Sequence, residues 1–117
     1  MADAGIFIGF GLPARGREQM ALESFNEAMG YFASLQQSGE IESFEAVFLE
    51  PHGGDLGGFI LLRGGSDSLA HVRVSEGFQH TIARAGLCVD GMGVVGAHIG
   101  DGLMREMAYY QEQVAKL

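Results

Sequence analysis

The residues most able to do chemistry fall into two groups. The first is Glu50-Pro51-His52-Gly53-Gly54-Asp55, the densest polar cluster in the chain. Two carboxylates and an imidazole on a glycine-flexed loop can converge on one ligand, with His52 as acid or base. The same six residues also suit a β-hairpin connection, in which Pro and Gly shape the turn and Asp55 bonds its own backbone. As a metal site the cluster is poor. It offers one histidine and two carboxylates, with no second histidine at ligand spacing in the same element, so no metal is expected. The second group is Glu45, Arg63 and His98, each in or at the end of a strand-like run. A polar side chain projecting from such a run into a desolvated space can transfer protons or hold an anion. The alternative for each is a strand-end residue in solvent or a salt bridge between subunits.

Other polar residues carry less. His71 and His80 are nine apart, so they form no i, i+4 pair and read as surface helix residues. Cys88, between Leu87 and Val89, has no adjoining basic residue to activate it and reads as a small buried hydrophobe. Arg15 and Arg17 read as solvated. Gly9-x-Gly11 is followed by Pro13 rather than a helix opening, so it is no dinucleotide fingerprint. No cofactor is expected.

The elements that must position these residues follow from hydrophobic period. Gly5–Leu12 (GIFIGFGL) reads as a strand that Pro13 ends. From 17 to 38 the period changes: Leu22, Phe25, Met29, Phe32 and Leu35 step by three and four, predicting an amphipathic helix closed at Gly39. Glu40–Glu50 and Leu56–Arg63 read as two strands of a hairpin around the polar loop. Ser66 or Asp67 caps a helical stretch to Arg84, interrupted near Ser75–Gly77, with Leu69, Val72, Phe78 and Ile82 facing the core. Leu87–Gly100 reads as a valine- and glycine-rich strand. The last helix runs from 101 to 116, with Leu103, Met107, Tyr110, Val114 and Leu117 at four-three spacing.

The order is β-α-β-β-α-β plus a terminal helix, which predicts an α+β, ferredoxin-like split βαβ domain over residues 1–117. Its size suits one domain. Seven basic against fifteen acidic residues, a formal net charge of −8, argue against nucleic acid and anionic membranes. No apolar run is long enough to cross a bilayer, and no signal-peptide pattern opens the chain. One cysteine excludes an internal disulfide and fits a reducing cytoplasm.

Two helices can cover only one face of four strands. Yet in the first strand Phe7 opposes Ile6 and Ile8 in parity, and in the third Phe59 and Leu61 oppose Ile60 and Leu62. A sheet apolar on both faces needs a second cover, and another copy of the chain supplies it most simply. The terminal helix's stripe is likewise expected to be buried. A bare split βαβ offers it no place, so the partner is its expected cover. Glycine is abundant, 19 of 117 residues. Gly9, Gly91 and Gly93 are expected within strands, leaving a pocket on the face away from the two long helices, bounded by His98 or Glu45.

On this layout the chain resembles the dimeric α+β barrel superfamily. Within it the chain is similar to YCII-related proteins, through Leu35-Gln36-Gln37-Ser38-Gly39-Glu40-Ile41 closing the first helix and Glu76–Gly86 before the last strand. That family's early first-helix histidine, paired with an aspartate of the second-helix region, has no counterpart here: the first helix has no histidine, and the nearest second-region acid is Glu76. The resemblance therefore implies fold and homodimer rather than activity. It fits a protein that binds a small apolar or aromatic metabolite, or a cofactor-independent enzyme of oxygenase or isomerase type, with Glu45, Glu50, His52, Asp55, Arg63 and His98 as ligand-binding candidates. A non-catalytic dimerisation or interaction module is the alternative.

Overall fold

The computed structural model describes residues 2–117. Its elements are β1 (Ala4–Phe10), α1 (Glu18–Gln37), β2 (Ser43–Phe48), β3 (Gly58–Gly64), α2 (Ser66–Val74), α3 (Glu76–Gly86), β4 (Gly93–His98) and α4 (Gly100–Val114). The four strands pair antiparallel in the order β2-β3-β1-β4. This is the α+β, ferredoxin-like arrangement that the alternation of periods implies.

Register decides the two faces. Ile6 sits opposite Leu62, and Ile8 opposite Ile60. These four side chains form one core with Phe32 and Leu35 of α1, Leu69 and Val72 of α2, and Phe78 of α3. Burial of apolar area on this scale is the main favourable term in folding. The helical stretch after β3 breaks at Ser75, whose backbone is extended and whose hydroxyl accepts a hydrogen bond from Phe78 N, so one residue ends α2 and caps α3.

In α1 the residues turned inward are Ala21, Ser24, Ala28, Phe32 and Leu35. The expected stripe is displaced at its start: Leu22 is 62% exposed, and Phe25 and Met29 lie at the margin. Small residues at 21, 24 and 28 let the helix lie close to the sheet, and the larger ones flank the contact. Phe25 meets the ring of Phe48 at 5.1 Å. Gly39, at φ +84°, turns the chain so that Ile41 N bonds Leu35 O. Ile41 is thereby inserted into the core ahead of β2.

One expectation is corrected. The run 87–100 is not one strand. Leu87 caps α3, Val89 makes an isolated bridge to Pro13, and Gly91 turns at φ +60°, so β4 begins only at Gly93. In the single chain α4 buries only Gly102, and Leu103, Met107, Tyr110 and Val114 remain about half or more exposed, so its own subunit does not cover the stripe. Among the described residues no helix is long and apolar enough to cross a membrane.

Candidate functional site

The six residues singled out from sequence occupy three separate places. Register puts the 49–57 loop at the Phe10 end of the sheet, whereas His98 and Arg63 lie at the Ala4 end. Glu45 and Arg63 share the face of the sheet that the helices leave uncovered. His98 lies across from Ala4, on the helix-facing parity of β4.

The loop is built as a hairpin connection. Leu49 N bonds Gly57 O at 2.8 Å, and Gly53 sits at φ +82°, a conformation glycine adopts without strain. The His52 ring is engaged by its own loop: Nδ1 accepts from Gly54 N at 3.2 Å, and Nε2 lies 2.8 Å from Leu56 O, which requires the proton on Nε2. Both nitrogens therefore shape the turn. Glu50 and Asp55 are exposed and do not converge with His52 on a common point through any hydrogen bond among the described residues.

The open face carries Phe7 and Phe59, whose rings stack at 5.1 Å, together with Leu61, Val47 and a 56%-exposed Val95. At its edge the Arg63 guanidinium bonds the Glu45 carboxylate. Each has the other as partner, and a pair this exposed contributes about 0–1 kcal/mol. The expected space over the glycines of this face is absent from one and unbounded at the other. A Cβ at Gly9 would meet the Phe7 ring at 2.9 Å and Leu56 at 3.2 Å, so Gly9 accommodates Phe7; a Cβ at Gly93 would meet nothing within 4 Å.

A concavity lies elsewhere, on the helix side. It is a groove of about 610 Å³ between the start of β1, the outer strand β4, α2 and the first turns of α4. Its floor is apolar, from Ile6, Leu69 and Ala70. Gly96 opens it: this residue shares the parity of Val94 and His98, and a Cβ there would have only Arg73 Nη1 within 4 Å, at 3.7 Å. The polar groups are at the ends. His98 Nε2 is 3.8 Å from Glu106 Oε1 of α4, and Arg105 Nη2 is 3.3 Å from Asp3 Oδ2. Asp3 also accepts from Ser66 N at 3.2 Å, tying the first turn of α2 to the chain start. Arg73 reaches across from α2 to donate to Val94 O at 3.1 Å.

The wall depends on a close backbone approach. A Cβ at Gly102 would collide with Asp3 O, and one at Gly100, where φ is +52°, would stand 2.8 Å from Ala2 O. These two glycines let the first turn of α4 close the groove. Sequence reasoning reached His98 but missed Asp3, Arg73, Gly96, Arg105 and Glu106. Only Gly96, a glycine between Val95 and Ala97 inside a strand, left a local signal. Among the described residues no cluster of three or more His, Cys, Asp or Glu gathers that could hold a metal.

No protein-family model matches the chain, and no curated protein matches it. Solved structures match its fold. A dimeric ferredoxin-like protein of unknown function from Thermobifida fusca superposes with a TM-score of 0.63 at 10% identity, over 85% of this chain and 93% of that one. Hydroxynitrile lyase from Passiflora edulis gives 0.62 at 10% identity, over 86% of this chain and 96% of the lyase. SnoaB, a cofactor-independent oxygenase from Streptomyces nogalater, gives 0.54 at 13% identity, over 85% and 95%. At such identities the likeness establishes the ferredoxin-like fold; the activities named differ from one neighbour to the next.

Proposed function

We propose that the chain is a homodimeric small-molecule binding protein or cofactor-independent enzyme that takes its ligand in the groove between β4, α2 and α4. The carrying observation is that groove: about 610 Å³, apolar at its floor, with polar groups at its ends. Volumes of this order suit a metabolite, and a few convergent polar groups on an apolar lining are what orient one. The ligand class is a small molecule with an apolar or aromatic body. His98, backed by Glu106 at 3.8 Å, is the residue for proton transfer.

The homodimer reading is supported by the uncovered Phe7–Phe59 face and by the dimeric state of the Thermobifida fusca neighbour. Burial of that face between two copies fits an interface of about 1,200 Å² or more. The reading treats residues 1–117 as one domain in the cytoplasm, without nucleic-acid or membrane partners. The nearer kinship we propose is with YCII-related proteins, through Leu35–Ile41 and Glu76–Gly86; it adds no activity, since α1 lacks a histidine. A module that only dimerises is the second reading, favoured by the mutual pairing of Glu45 and Arg63 on the open face.

The test is a thermal-shift screen of metabolites against the full chain, since a ligand of the folded state raises the melting temperature by mass action. Hits are then mapped by hydrogen exchange. Protection of β4 and α2 amides supports the groove. Protection confined to the 49–57 loop, or to β2 and β3, refutes it.

A further inference from the structure

Three arginines are half-buried: Arg63, Arg73 and Arg84. Arg63 faces Glu45, and Arg84 faces Glu27 at 2.7 Å. Arg73 faces no carboxylate among the described residues. Removing a guanidinium from water without an anion is unfavourable, so Arg73 stands out. Its one hydrogen bond, from Nη2 to Val94 O, fixes the head group over the groove and leaves most of its five donors free. Nη1 lies above Gly96, where the missing side chain keeps the approach open. The other cation of the groove, Arg105, is already neutralised by Asp3.

We propose that Arg73 is an anion anchor and that the groove's ligand is an organic carboxylate, its acid group held by Arg73 and its apolar body lying on Ile6, Leu69 and Ala70. A guanidinium fork matches a carboxylate in two parallel hydrogen bonds. Phosphate fits less well. One free cation balances a single negative charge, and Glu106 in the same groove repels a second. The acid end at Arg73 leaves the rest of the molecule directed along β4 toward His98. This inference rests on the groove reading above.

The experiment titrates the full chain with hexanoate and phenylacetate, and with their neutral counterparts hexanamide and phenylacetamide, following backbone amide shifts by NMR. The acids are expected to perturb β4 and α2 amides and to bind on the order of tenfold more tightly than the amides, the worth of one charge-assisted hydrogen bond. Arg73→Gln removes that preference, and Arg73→Lys keeps part of it; melting curves check that both variants fold. Equal binding of acids and amides to the parent chain overturns the carboxylate assignment and leaves the groove standing. So does an acid preference that survives Arg73→Gln. If none of the four compounds perturbs β4 or α2, the groove reading fails with it.

Discussion

Replacing Gly96 with valine inserts a branched side chain into the groove. The new Cβ would have a single neighbour within 4 Å, Arg73 Nη1 at 3.7 Å, and the backbone there does not need positive φ. Neither backbone strain nor a Cβ clash therefore opposes the change. Glycine inside a strand costs roughly 0.5–1 kcal/mol relative to alanine, and β-branching is favoured on a scale spanning about 1 kcal/mol. Gly96→Val is thus expected to raise stability by about 1 kcal/mol, or roughly 4 °C in melting temperature. Ligand affinity moves the other way. Filling occupied space with extra methyl groups costs about 1–3 kcal/mol, which weakens binding roughly 5- to 150-fold. Differential scanning fluorimetry reads the first effect, and titration of a screened ligand reads the second. Gly93→Val is the control: it lies on the opposite face with nothing within 4 Å, so it leaves groove affinity unchanged. Unchanged affinity in Gly96→Val would place the ligand elsewhere, and loss of folding would show that residue 96 is not open.

Phe59→Asp puts a charge on the uncovered sheet face beside Phe7; light scattering should show the parent as a dimer and the variant at half its mass, and a dimeric variant would refute the sheet-face interface. In that Phe59→Asp background Met107→Asp should change stability by no more than about 0.5 kcal/mol, because Met107 is 48% exposed in the single chain; a larger loss in denaturant melts would mean that α4 lies on its own subunit. Gly102→Ala drives a methyl into Asp3 O and should detach the first turn of α4, seen as lost helical ellipticity and weaker ligand binding together. Phe32→Ala, at 1% exposure in the core, should cost about 3–5 kcal/mol in a chemical-denaturation midpoint.

The fold was legible because the chain changes period cleanly. Phe7, Ile8, Phe59 and Ile60 alternate on both parities, and α1 then steps by three and four, so element order and the uncovered face both follow from local pattern. Errors arose where local pattern is ambiguous. Side-chain size pointed to Leu22, but the α1 contact selects small residues, Ala21 and Ser24, that let the backbones approach. The valine-glycine run hid the turn at Gly91, because glycine is compatible with both a strand and a positive φ. The groove was scarcely legible. Asp3 and Arg105 meet across 102 positions, and Arg73 reaches an outer-strand carbonyl 21 positions on, contacts that no short-range spacing encodes. Glu50, His52 and Asp55 looked like a site because turn residues and catalytic residues draw on the same amino acids; the His52 ring bonds its own loop on both sides.

The exposure of α4 has a consequence for how the molecule opens. Fifteen residues is near the length at which an isolated helix is marginal in water, and only Gly102 is buried. Its hydrogen bonds therefore belong to a separate, weaker cooperative unit than those of the sheet. In a lone subunit its amides exchange within a fraction of the global unfolding free energy, and a protease would cut there first. When the stripe of Leu103, Met107, Tyr110 and Val114 is covered, that unit is lifted toward the stability of the whole. Amide protection in α4, measured against protein concentration, is thus a direct gauge of subunit association, independent of any ligand.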